Sequence, residues 1–235
     1  MGKGLNGQRD FLHVATKERP SQSAQEAPGM ASLSDLMGQA KQVSFARNEE
    51  IFSAESPAAQ VMQLESGCAL MRRLESDGSW RAVAIVSPGD IIGYTTARSY
   101  EWDAVATTGS VFKVVSQREV EKAVAESATV ARDVLRNTLT QLTRSREFSV
   151  IVHKGSLLAK VSAFLLWWVN KDSDGDGSAH ILMPMTRKSM GEVLGVAQEN
   201  ISRTLTELKE IGAIQRLKQG SFILDVPKLK ELAGE

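Results

Sequence analysis

At 235 residues the chain is long enough for two small domains, each burying a core of its own. With 42% hydrophobic and 24% charged residues its composition is that of a globular protein and excludes a low-complexity polymer. Twenty-eight basic residues balance twenty-eight acidic ones, so bulk charge provides no attraction to nucleic acid, and any such binding must come from local placement. No stretch is apolar over the roughly 18–20 residues a membrane-spanning helix needs. The first residues lack a charged-then-apolar leader pattern, and the lone Cys68 precludes an intrachain disulfide. A cytoplasmic protein is the expectation.

Residues 1–30 are polar, rich in Gln, Ser, Gly and Ala, and carry no sustained periodicity. They read as a mobile tail, with Lys3, Arg9, Lys17 and Arg19 too scattered to form a nucleic-acid-binding arm. Residues 31–127 change character. Short alternating runs such as QVMQLESGCALMRRL and SWRAVAIVSPGDIIGY are punctuated by Ser66–Gly67, Asp77–Gly78, Pro88–Gly89–Asp90 and Gly109. That spacing predicts a small antiparallel β-roll. Cys68 sits in an apolar run beside Ala69, Leu70 and Met71 and reads as a buried small hydrophobe, with a redox thiol as the alternative.

A long helix is predicted over 128–153. Val134, Leu135, Leu139 and Leu142 recur at helical spacing, and Arg132, Arg136, Arg144, Arg146 and Glu147 supply the polar surface. The apolar stripe suits either packing on the roll or pairing with a second copy. Lys154–Gly155 reads as a hinge, followed by a helix capped by Ser156 in which Trp167 and Trp168 are expected to fill an interface. The run Asp172–Gly177 copies the opening of a calcium-binding loop. Met183 stands where such a loop needs its bidentate Glu, so a solvated turn is the better reading. His13, His153 and His180 show no ligand spacing, and no metal or cofactor is expected.

The segment 154–235 carries the strongest signal. Met190, Val193 and Leu194 mark the buried face of a short helix, Gly191 allows a close crossing, and Gly195 ends the helix. Val196 plugs the corner, and Ile201 and Leu205 turn the next helix onto the same core. Gln198, Glu199, Ser202 and Arg203 are left facing outward. Arg pairs with guanine O6 and N7 and Glu accepts from cytosine N4, so this helix can read base edges in a DNA major groove. Glu199, Ser202 and Arg203 are the expected base readers, with Thr186, Arg187, Lys188 and Gln198 on phosphates. AIQRLKQGSFILDV then predicts a two-stranded wing whose Arg216 and Lys218 meet the backbone. No Walker loop, nucleophile elbow or His/carboxylate cluster suggests an enzyme, though an enzyme with an appended winged helix is the competing class.

The run from Leu182 to Ile214, LMPMTRKSMGEVLGVAQENISRTLTELKEIGAI, resembles the DNA-binding domain of the cyclic-AMP receptor protein/FNR superfamily of bacterial transcription regulators. Glu199 with Ser202–Arg203–Thr204 is similar to its FNR and FixK branch. The resemblance implies an α+β protein: a cupin-like β-roll sensor of the cyclic-nucleotide-binding type, a helix that pairs with its twin in a homodimer, and a C-terminal winged helix-turn-helix. It also implies double-stranded DNA as partner, an inverted repeat of the form TTGAT-N4-ATCAA, and RNA polymerase contact in activation. The sensor chemistry departs from the superfamily pattern. Gly93 is followed by Tyr94 where cyclic-nucleotide binders carry the Glu that takes the ribose, and Tyr100–Glu101–Trp102 stand where the phosphate-binding Arg motif falls. One cysteine cannot hold a four-thiolate iron–sulfur cluster. The expectation is a regulator that needs neither group, with a ligand-gated or redox-gated regulator as the alternative.

Overall fold

The structure, a computed structural model, describes residues 32–169, 178–217 and 220–235. The N-terminal tail, the turn at Asp172–Gly177, and Lys218 with Gln219 lie outside the described residues.

Two short helices bracket the roll: α1 (Leu33–Gly38) before it and α2 (Gln117–Glu126) after it. Both begin on a serine. Ser32 accepts from the Asp35 backbone N–H, and Ser116 with Glu119 forms a reciprocal capping box. Between them lie β1 (Lys41–Phe45), β2 (Glu50–Phe52), β3 (Gln60–Ser66), β4 (Ala69–Leu74), β5 (Trp80–Val86), β6 (Ile91–Ile92), β7 (Asp103–Ala106) and β8 (Ser110–Ser116). They form two four-stranded antiparallel sheets ordered β1-β8-β3-β6 and β2-β7-β4-β5. The alternating runs place Leu64, Met62 and Phe112 from one sheet against Phe52, Ala69 and Ala104 from the other, the arrangement of a β-roll. Tyr100 joins this core with its ring stacked on Phe52 at a 4.0 Å centroid distance. Its hydroxyl donates to the Gln60 carbonyl at 2.9 Å and accepts from the Gln60 N–H at 3.1 Å.

Helix α3 (Ala128–Val152) crosses the roll. Val130, Val134, Asn137, Gln141 and Arg144 recur every three or four residues and so share one face. Val130 and Val134 pack with α1 and α2, and the polar members bind the turn between β5 and β6. Asn137 Nδ2 donates to Gly89 O at 2.9 Å, Gln141 Nε2 to Ile91 O at 2.8 Å, and Arg144 Nη1 to both oxygens of Asp90 at 2.7 and 2.8 Å. Asp90 also accepts from the Ser87 N–H, and its side chain is only 5% exposed. Nearly opposite this face Leu135, Leu139, Leu142 and Val150 are 57%, 53%, 43% and 66% exposed. Val134 therefore belongs to the roll side and is not part of the outer stripe with which it was grouped from sequence spacing.

The C-terminal part comprises α4 (Leu157–Val169), β9 (Ser178–Leu182), α5 (Arg187–Leu194), α6 (Gln198–Glu210), β10 (Ile214–Arg216), β11 (Ser221–Asp225) and α7 (Val226–Ala233). Ser156 accepts from the Ala159 N–H and starts α4. Phe148 of α3 packs edge-on against Phe164 and Trp167 of α4, and Trp168 meets both of those rings edge-on, so the four rings fill the junction between the two helices. The strands form an antiparallel sheet ordered β10-β11-β9, so α5 and α6 are followed by the two strands of a wing. Phe164, Leu194, Ile201, Leu208, Leu224 and Leu229 build the core here, and the same apolar cluster includes Cys68, Leu70 and Val105 of the roll. The two domains thus share one continuous core.

Asp90 is nearly enclosed and doubly hydrogen-bonded to Arg144, so Asp90→Ala removes a charge-assisted pair at the roll–helix junction. The expected cost is about 1–3 kcal/mol in urea denaturation, with Arg144→Ala giving a similar loss and the double variant less than the sum.

Candidate nucleic-acid interface

Helix α5 begins at Thr186, whose Oγ1 accepts from the Ser189 N–H at 3.1 Å, and ends at Gly195 in the left-handed region, φ 69° and ψ 37°. A Cβ on Gly191 would lie 2.5 Å from Val196 O, so only glycine permits the backbone of the turn to approach α5 this closely. The chain then enters α6 at Ala197, which makes no side-chain cap; the Glu199 carboxylate takes its own backbone N–H, and the Asn200 N–H donates to Ala197 O at 3.1 Å. Ile201, Thr204, Leu205 and Leu208 are buried, so the spacing of the apolar positions turns the opposite face outward. Glu199 and Arg203 are exposed there, with Ser202 half-buried between them.

The outward groups are already engaged with one another. Gln198 Nε2 donates to Glu199 Oε1 at 3.2 Å, and Arg187 Nη1 donates to Ser202 Oγ at 3.1 Å. The Glu199 carboxyl is held below its ordinary value of 4.5, first by its own backbone N–H, then by the Gln198 amide and the Arg203 charge. Of the residues expected on phosphates, Lys188 and Arg216 are exposed, while Thr186 serves as a helix cap and Arg187 and Gln198 bind the expected base readers. Lys218 lies outside the described residues.

One set of contacts escaped the sequence. The β4–β5 hairpin grips α5 from the roll. Arg72 Nη1 pairs with Glu192 Oε2 at 3.3 Å, the Glu192 side chain being 9% exposed, and the same guanidinium lies 4.0 Å from the Trp80 ring centroid. Arg81 reaches the C-terminal end of α5 at Gly195, where a cation complements the helix carbonyls. Thr107 Oγ1 donates to Pro184 O at 2.8 Å. The available signal was Glu192 itself, a carboxylate flanked by Met190, Gly191, Val193 and Leu194 on a helix buried along most of its length.

Cys68 is 2% exposed and lies in the shared core, and its backbone N–H donates to Thr108 Oγ1 at 2.9 Å. Such enclosure suits a packed small hydrophobe more than an accessible redox thiol. Among the described residues no group of three His, Cys, Asp or Glu side chains converges as metal ligands do, and no helix is long and apolar enough to cross a membrane.

Residues 159–232 match the family described as a Crp-like helix-turn-helix domain, and residues 42–127 match the cyclic nucleotide-binding domain. The chain is 26% identical over 205 residues to the nitrogen fixation regulation protein FixK of Bradyrhizobium diazoefficiens, covering 87% of this chain and 86% of that one. It is 24% identical over 181 residues to the transcriptional activator protein FnrL of Cereibacter sphaeroides, covering 74% and 73%. The structure of FixK2 from Bradyrhizobium japonicum superposes with a TM-score of 0.73 at 26% identity, over 82% of this chain and 96% of that one. The residues here do not fit the cyclic nucleotide that the roll's family description implies. Tyr100 fills the roll interior and is bonded to Gln60, Glu101 is an exposed carboxylate, and Tyr94 offers no carboxylate to a ribose.

The depressed Glu199 value fixes a pH window. The carboxylate is charged above its ordinary value, and the stability drawn from its hydrogen bonds is lost only as pH falls through the lowered value. Carboxyl NMR titration is expected to show a midpoint below 4.5 for Glu199, moving up toward 4.5 in Gln198→Ala.

Proposed function

We propose that this chain, which belongs to the CRP/FNR superfamily of transcription regulators and is FixK-like within it, acts as a two-fold dimer on an inverted-repeat operator. The family carries the general function: the chain is a DNA-binding transcription regulator built from a cyclic-nucleotide-binding β-roll and a Crp-type helix-turn-helix, and it is not an enzyme. The observation that supports the finer reading is the outward face of α6, where Glu199, Ser202 and Arg203 stand clear of a helix whose other face is buried. Arg203 donates to guanine O6 and N7, Glu199 accepts from cytosine N4, and Ser202 bonds a neighbouring base edge. A half-site of the TTGAT type supplies such edges. Lys188 and Arg216 take the backbone, and Thr186 fixes the end of α5 that faces it.

Dimerisation is supported by the exposed stripe Leu135, Leu139, Leu142 and Val150, four large apolar side chains in a row on one helix. Pairing α3 with its copy buries that stripe and holds two recognition helices about 34 Å apart, one DNA turn. The output is activation through RNA polymerase in the cytoplasm, with no dependence on cyclic nucleotide or an iron–sulfur cluster.

Fluorescence anisotropy of the purified protein without added effector, at one stated salt concentration, tests this. Tight binding is expected to a TTGAT-N4-ATCAA duplex and weaker binding to TGTGA-N6-TCACA and scrambled duplexes. Equal weak binding to all three overturns the operator assignment. Arg203→Ala is expected to lower affinity for the first duplex by about 1–3 kcal/mol while leaving the circular dichroism spectrum unchanged. Leu139→Glu is expected to convert the dimer to a monomer in sedimentation equilibrium and to abolish tight operator binding.

A further inference from the structure

Ser202 differs from the other hydroxyls of α6. Thr204 Oγ1 and Thr206 Oγ1 each donate to a carbonyl four residues back, Asn200 O and Ser202 O, both at 3.0 Å. Their protons are consumed within the helix. Ser202 Oγ instead accepts from Arg187 Nη1 at 3.1 Å, and among the described residues it donates to nothing. A guanidinium has no lone pair to offer, so the direction of this bond is not in question. With a lone pair engaged from the α5 side, the serine proton is left to point at an acceptor outside the protein.

We propose that Arg187 is a positioning residue that sets the polarity of Ser202, making it a hydrogen-bond donor in base readout. The inference rests on the assignment of Ser202 as a base reader. A serine left to itself both donates and accepts and so tolerates either kind of base edge. Held by Arg187, it favours an edge that presents an acceptor, such as thymine O4 or guanine O6, over one that presents the amino group of cytosine or adenine. The placement follows from the fold. Arg187 is the first residue of α5, and the close Gly191–Val196 crossing brings that end of α5 beside the second turn of α6. Arg187 is exposed and lies outside the apolar core, so replacing it leaves packing intact.

The test uses the full chain and a set of operator duplexes in which each half-site position is changed in turn, read by competition anisotropy at two salt concentrations. Four proteins are compared with the parent: Arg187→Met, which keeps the aliphatic stem, Arg187→Lys, Ser202→Ala and the Arg187→Met/Ser202→Ala double variant. The expected result is that Ser202→Ala lowers discrimination at one position about three- to tenfold. Arg187→Met lowers it at the same position by a similar factor, the double variant loses no more than Ser202→Ala, and Arg187→Lys retains part. If Arg187→Met instead weakens every duplex equally, flattens the salt dependence by one phosphate contact and leaves discrimination intact, the inference is overturned and the base-reading assignment survives. If Ser202→Ala changes discrimination nowhere, the assignment falls and the inference with it.

Discussion

Two stretches of backbone can pass as closely as α5 and the turn before α6 do only where one of them lacks a side chain. That constraint falls on Gly191, where any Cβ would meet Val196 O. Its consequences run outward. The crossing lets Met190, Val193 and Leu194 share a core with Ile201, Leu205 and Leu208, and that core fixes which side of α6 is dry. Because the dry side is fixed, Glu199, Ser202 and Arg203 have no choice but the surface. The same crossing brings the first residue of α5 within hydrogen-bond reach of Ser202. A polar face with this preorganisation loses less side-chain entropy on meeting DNA than one assembled from freely rotating groups.

A chain with no net charge must arrange its ions so that acids do not repel the DNA backbone. Two of the acids nearest the junctions are internally matched. Asp90 is neutralised by Arg144 where the roll meets α3, and Glu192 by Arg72 where the roll meets α5. Both carboxylates are nearly enclosed, so each pair exchanges hydration for fixed hydrogen bonds and adds geometric definition more than net stability. Glu199 is the acid left at the front. It is held charged by its own N–H, Gln198 and Arg203, and it sits at the uncapped start of α6, where the helix dipole favours a carboxylate.

The helix-turn-helix was legible in the sequence because each of its constraints is local. A glycine at a crossing, a glycine at a helix end and apolar residues at helical spacing are written within eighteen residues, Thr186–Arg203. The roll was legible in kind, since alternation and turn residues announce short antiparallel strands. Helices α1 and α2 were passed over although Ser32-x-x-Asp35 and Ser116-x-x-Glu119 are capping signatures; both helices are short and flanked by strand-like runs that dominate the pattern. What the sequence could not disclose is pairing over long separations. Arg72 and Glu192 are 120 residues apart, and Asp90 and Arg144 are 54 apart. Val134 stands beside Leu135 in sequence, yet one faces the roll and the other solvent; spacing alone defines a stripe without saying which of two opposed faces a borderline residue joins.

These long-range pairs bear on what the roll does in this chain. A sensor domain transmits a signal only if its ligand has a differential interaction with two arrangements of the molecule. Here the position that would face a ribose is Tyr94, and the interior is occupied by Tyr100 stacked on Phe52. The roll is bound to α3 through Asn137, Gln141 and Arg144 and to α5 through Arg72 and Thr107. The shared core of Cys68, Leu70 and Val105 with the helix-turn-helix adds an apolar contact that separation of the domains would expose to water. An element held at both α3 and the helix-turn-helix fixes the angle between them; in the proposed dimer that angle would set the spacing of the two copies of α6. Tyr100 serves packing here: its ring is stacked on Phe52 and its hydroxyl is bonded to Gln60, so the roll's contacts with α3 and α5 rest on a filled interior.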